Sequence, residues 1–177
     1  MRASLDSLLD APATAQVRLM QSGVVKPSEI LEGYIARVHQ NAPYLNAVVD
    51  QDYEGARRSA RELDRMPLAA RQSLPLYGLC ASIKEFIATR GLSWTAGLAW
   101  RREMKAQSDA AVVQQIREAG AIPFIASNGP EGGLWLESVN PLYGTTRNPW
   151  SRHRTPGGSS GGEGALISAA CASFGIG

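Results

Sequence analysis

An α/β fold, with a mixed, largely parallel sheet flanked by helices, is what the sequence predicts, and three observations carry it. Two apolar, strand-like runs, 79–87 and 121–126, enclose a segment whose apolar residues recur at helical spacing. Strand, helix and strand in that order make a crossover unit, the building block of a parallel sheet. A glycine-rich loop at 157–162 then runs directly into an apolar, helix-compatible segment. The composition, 44% hydrophobic and 19% charged, is that of an ordinary globular chain able to bury a core.

The elements come in order along the chain. From Pro27 the residues Ile30, Leu31, Tyr34, Ile35 and Val38 share one face of a helix, about three turns long, with a proline suited to its first turn. NAVVD, 46–50, reads as a short strand. From Tyr53 to Met66 the positions Tyr53, Ala56, Ala60 and Leu63 line one side of a second helix whose other side is a solvated charge run. Residues 67–75 read as a loop. The strand at 79–87 is interrupted by Lys84 and Glu85, which need an explanation. Asp109 is placed to cap a helix carrying Val112, Val113, Ile116 and Ala119, and Gly120 supplies a left-handed stop before the strand AIPFIA, 121–126. Between Asn128 and Gly162 the chain turns rich in glycine and proline, and 163–173 resumes a helix-compatible pattern. No internal repeat is visible.

Charge and composition exclude several classes. Eighteen basic against sixteen acidic side chains leave a net charge of +2, scattered and without interleaved aromatics, so no nucleic-acid surface is expected. The longest apolar run, 165–177, falls short of the roughly 20 residues that span a bilayer. Acidic Asp6 and Asp10 sit where a signal peptide would be apolar, so the default expectation is cytoplasmic. Cys80, Cys171, His39 and His153 are too few and too scattered for a disulfide framework or a metal site, and no cofactor is expected.

The loop RTPGGSSGG carries the chemistry. Glycines around Ser159 and Ser160 let backbone and hydroxyls approach a ligand closely, and unpaired amides at the start of the next helix favour negative charge. A phosphate-binding loop would need lysine where Glu163 stands, so that reading fails. The nucleophile-elbow pattern GxSxG matches at 157–161, but both histidines precede Ser159, and a histidine-based triad of that order is excluded. An activated serine here needs another base, and lysine is the usual substitute. The chain has only three lysines, Lys26, Lys84 and Lys105. The first and last lie in polar surroundings, whereas Lys84 interrupts an apolar strand. Burial disfavours an ammonium and draws its pKa down from about 10.4 toward neutrality, as a general base requires. The competing reading pairs Lys84 with Glu85, or lets it snorkel from an edge strand. A third leaves Ser159 or Ser160 as the nucleophile itself.

SIKEF (82–86), SNGPE (127–131), NPLYGTTRNPW (140–150) and TPGGSSGGEGALI (155–167), in that order, resemble the amidase signature family. The resemblance runs from the helix after Pro27 to Gly177. KE in SIKEF, ESVNPLYG and GGEGALI are most similar to the fatty acid amide hydrolase branch. The resemblance implies an incomplete amidase-signature fold in which 1–177 form the N-terminal portion of one amidase domain, with 1–25 a peripheral segment and 26–177 the start of the core. It implies a hydrolase of small-molecule carboxamides, fatty acid amides among them, working through a Ser-Ser-Lys triad. Lys84 resembles the general base and Ser159 the bridging serine, seated on a cis peptide bond. Ser160 resembles a supporting hydroxyl, and Gly132 and Gly133 match backbone lining the active site, where a plain turn is the alternative. The family's nucleophile and oxyanion hole lie in a motif resembling GGSIR downstream of the serine loop, beyond Gly177, so the chain alone is expected to be inactive. A homodimer is compatible with this reading. The alternative, from another class, is a non-catalytic protein keeping the amidase scaffold for binding.

Overall fold

A computed structural model describes residues 5–177; residues 1–4, part of the peripheral segment 1–25, lie outside the described residues. Helices α1 (Leu5–Leu9) and α2 (Ala13–Gln21) open the chain. Leu9, Val17, Met20 and Val25 are buried in the main core. Buried Gln16 donates to Tyr34 Oη at 2.8 Å and accepts from Ser173 Oγ at 3.0 Å, tying this segment to both a later helix and the end of the chain.

Helix α3 spans Pro27–Leu45, longer than the three turns expected, because Leu45 beyond the polar run 39–42 is itself buried and carries the helix past Pro43. Its N-terminus is held by the Glu29 carboxylate, which accepts from Lys26 N at 2.8 Å. Asn46 ends it in the left-handed region, φ 48°, and its side-chain amide donates to Tyr143 O at 2.7 Å. Strand β1 (Val48–Gln51) leads to α4 (Tyr53–Asp64), whose first turn is capped by Asp52 accepting from Gly55 N at 2.8 Å. The stretch expected as a loop at 67–75 contains a short helix, α5 (Leu68–Arg71), too brief for periodicity to reveal.

Strand β2 (Cys80–Lys84) is buried at every position. Helix α6 (Ala111–Glu118) and strand β3 (Ile122–Ser127) complete the crossover. Gly120, φ 95°, ends α6 as expected, but Asp109 does not cap it. Its carboxylate accepts instead from Arg90 N at 2.7 Å and Arg117 Nε at 2.9 Å, so the arginines have taken the cap's acceptor. A small ribbon, β4 (Val139–Asn140) and β5 (Gly144–Thr145), precedes α7 (Gly161–Ser168) and β6 (Phe174–Ile176). The helix-compatible reading of 163–173 therefore holds only to Ser168.

The four-stranded sheet has the order β1-β3-β2-β6. β3, β2 and β6 are parallel, and β1 runs antiparallel on β3, which makes the sheet mixed. One face carries the main core of Tyr34, Tyr77, Ile122 and Phe124; the other packs Ala81 and Ile83 under Val113 and Ile116 of α6. Side chains alternate along a strand. Ala81 and Ile83 therefore face α6, and Cys80, Ser82 and Lys84 face the α3 and α7 side.

Candidate functional site

The last residue of β2, Lys84, is 7% exposed. Its ammonium donates to Ser159 Oγ at 2.7 Å and Ser160 Oγ at 3.0 Å, joining groups seventy-five residues apart in sequence. The peptide bond between Gly158 and Ser159 is cis. Burial lowers the Lys84 pKa from its ordinary value, and the negative charge of Glu163 works in the opposite direction. The Phe86 ring lies 5.0 Å from Nζ, adding an apolar wall.

Glu85 is no partner for Lys84. Its side chain turns the other way and accepts from the amides of Thr95 and, at 2.9 Å, Ala96. Of the other lysines, Lys26 is exposed and Lys105 pairs with Asp50 at 3.2 Å on the surface. His39 packs edge-on against Tyr53, and His153 is exposed.

Four residues not singled out from the sequence hold or border the serine loop. Ser138, buried, accepts from Gly161 N at 2.8 Å and donates to Gly157 O at 3.2 Å, clamping both ends of the loop. Asn128 O accepts from Gly162 N at 3.1 Å. Two amides of the first turn of α7, expected to be open to an anion, are thus already paired. Gly129 passes so close to the site that a Cβ there would stand 2.7 Å from the Phe86 ring, 3.0 Å from Ser159 O and 3.3 Å from Lys84 Cε. Only its membership of SNGPE signalled it. Asn140 braces the same turn, its side chain donating to Asn128 Oδ1 at 2.7 Å and Gly129 O at 2.8 Å.

Gly132 and Gly133 form a left-handed turn, φ 61° and 77°. Gly133 lies against the Phe86 ring, and both amides are used locally, Gly132 N to Ala96 O at 2.8 Å and Gly133 N to Pro130 O at 3.1 Å. They border the site beyond Phe86. Chemically, a desolvated amine hydrogen-bonded to a serine hydroxyl can move a proton through that hydroxyl. Among the described residues no helix is long and apolar enough to cross a membrane.

Known proteins share this geometry's scaffold. The chain is 35% identical over 177 aligned residues to fatty-acid amide hydrolase 2-B of Danio rerio, covering 96% of this chain and 34% of that protein. It is 36% identical over 157 residues to an acylamidase of Rhodococcus erythropolis, covering 89% and 33%. The solved structure of 6-aminohexanoate cyclic dimer hydrolase superposes with a TM-score of 0.83 at 34% identity, over 93% of this chain and 33% of that one. A fatty acid amide hydrolase structure shares the fold, TM-score 0.89 at 21% identity, over 99% and 31%. The chain spans about a third of the length of these relatives. The Amidase family model matches residues 29–177, and the chain belongs to the amidase family.

Proposed function

We propose that this chain supplies the base and the bridging serine of a Ser-Ser-Lys amidase that hydrolyses small-molecule carboxamides, with fatty acid amides as the favoured class. The observation that carries the reading is the 2.7 Å contact from Lys84 Nζ to Ser159 Oγ at a buried strand end. Neutral Lys84 accepts a proton from Ser159, and Ser159 takes one from the nucleophilic serine as that serine attacks the carbonyl. The relay returns the proton to the leaving amine, and water clears the acyl-enzyme. Ser160 steadies the amine from the side, and Gly132 and Gly133 border the pocket mouth. The nucleophile and oxyanion donors are assigned to sequence beyond Gly177. Gly177 lies beside the site, since a Cβ there would stand 2.6 Å from Ser160 Oγ. The cytoplasm and a homodimeric state fit this enzyme equally as proposals.

The test has two parts. Translation of the gene past the codon for Gly177 is expected to reveal a GGSIR-like segment. In the enzyme containing it, Lys84→Ala is expected to cut hydrolysis of a fatty acyl p-nitroanilide by about 10² to 10⁴. Near-normal turnover would remove Lys84 from the mechanism. The 177-residue chain is expected to leave a fluorophosphonate probe unreacted; labelling of Ser159 or Ser160 would relocate the nucleophile.

A further inference from the structure

Two buried side-chain atoms among the described residues have no hydrogen-bond partner, Ser127 Oγ and Glu163 Oε1, and both border Lys84. Ser127 pairs with Lys84 in the β2–β3 ladder. Glu163 lies one turn after Ser159 and Ser160 on α7 and is 6% exposed. Its other oxygen, Oε2, accepts from Ser82 Oγ, two residues before Lys84 on the same face of β2. From β6, Gly175 leaves room for the carboxyl, since a Cβ there would collide with Oε2. Gly177 closes the far side, where a Cβ would meet Glu163 Cγ at 3.5 Å.

The groups around Glu163 are therefore the hydroxyls of Ser82 on β2 and Ser127 on β3, bare backbone from β6, and one charge, Lys84. No ion pair forms between them; the charges act on each other through the low-dielectric interior, where a Coulomb interaction is several-fold stronger than in water. Two hydroxyls, Ser82 and the poorly aligned Ser127, are weak counterparts for a buried carboxylate.

We propose that Glu163 is a positioning residue that governs the charge state of Lys84, its buried carboxylate holding the proton on the amine when ionised and loosening that hold when protonated. The proposal rests on Lys84 acting as the base. Consistent with it, burial pushes Glu163 up to about 7, with Ser127, Ser82 and Lys84 pulling the other way. The carboxyl thus changes charge near neutrality. The base would be most readily neutral when Glu163 is protonated, and Glu163 would limit how far a neutral amine accumulates as pH rises.

The test is a side-chain titration by NMR of the 177-residue chain carrying 13C-lysine and 13C-glutamate. Only three lysines are present, so the Lys84 signal is identified by its loss in Lys84→Met. In Glu163→Gln the Lys84 midpoint is expected to fall further, and Glu163→Asp is expected to restore it part-way. In the parent the Lys84 Cε shift is expected to show a second inflection where the Glu163 carboxyl titrates. An unchanged Lys84 midpoint in folded Glu163→Gln overturns the proposal. Should that variant not fold, a single-inflection Lys84 curve in the parent, recorded while Glu163 titrates, overturns it as well. The same data separate the two readings: a Lys84 midpoint at the ordinary lysine value sinks the base assignment, whereas a lowered midpoint indifferent to residue 163 sinks only the role of Glu163.

Discussion

Two acids flank Lys84, and the fold treats them in opposite ways. Glu85 is 2% exposed and Glu163 is 6% exposed, and burial raises both carboxyls. What differs is the donors. Glu85 receives two backbone amides from the turn at 95–96, one on each oxygen, with Arg101 adding a favourable charge. Glu163 receives the Ser82 hydroxyl on one oxygen, and near the other it has only the Ser127 hydroxyl, which makes no well-formed hydrogen bond. Amides held by the chain cannot turn away, whereas a hydroxyl rotates and donates once. The first acid is a fastener that pins the turn at 95–96 to the end of β2. The second is a carboxyl with weaker partners beside Lys84.

The same isosteric change at both sites would break that contrast if it were wrong. Glu85→Gln replaces one acceptor oxygen by an NH2 group, which sets a donor against a buried amide N–H. A buried donor left facing a donor, together with the loss of charge-assisted bonds, is expected to cost on the order of 4 kcal/mol in chemical denaturation. Glu163→Gln keeps an acceptor for Ser82, and at pH 6, below the titration at about 7, the carboxyl it replaces is already mostly neutral, so its cost there is expected to stay within about 1 kcal/mol. Equal losses at the two sites would abolish the distinction between fastener and weakly partnered carboxyl.

A pH series sharpens it. Glu163 titrates at about 7 in the folded chain against an ordinary 4.5. A raised acid binds its proton more tightly folded than unfolded. Its stabilising contribution is therefore fully present below 4.5 and is lost as pH rises through 7. The whole span corresponds to roughly 3 kcal/mol. Measured as the difference between the parent and Glu163→Gln, which cancels other groups, the parent is expected to lose ground between pH 4.5 and 7.5. A flat or inverted difference would mean that the carboxyl is better satisfied than the geometry indicates.

How much of this is legible in the sequence depends on distance along the chain. The crossover β2–α6–β3 can be read because Val113 and Ile116 repeat at helical spacing between two apolar runs. Lys84 stands out because one cation in a buried strand violates the pattern around it, and Ser159 because glycines on both sides leave its hydroxyl open to close approach. The antiparallel direction of β1 cannot be read, since alternation of side chains reports a strand but not its sense. β6 is hidden because Phe174, Gly175 and Ile176 continue an apolar run without a break. Asp109 has the sequence position of a cap, yet Arg90 and Arg117 claim it from other elements. Ser138, Gly129 and the partner role of Glu163 are invisible for the same reason: each matters through a neighbour that only the folded chain brings close.

Gly175 offers the finest test of the contrast, because it distinguishes the looseness of Glu163 from its burial. An alanine methyl there would collide with Glu163 Oε2 and approach Ser82 Oγ to 3.0 Å, both ends of side chains and not backbone. The carboxyl can therefore move, and the strand need not. Overpacking of this kind is expected to cost about 1 to 2 kcal/mol, near the low end for an added core methyl. The informative readout is the Lys84 titration. If the carboxyl is displaced from its place beside β2, the Lys84 midpoint in Gly175→Ala falls in the same direction as in Glu163→Gln, though by less, since the charge is moved and not removed. A larger loss of stability with an unmoved Lys84 midpoint would show that β6 yields before the carboxyl does, and that Glu163 is as firmly seated as Glu85.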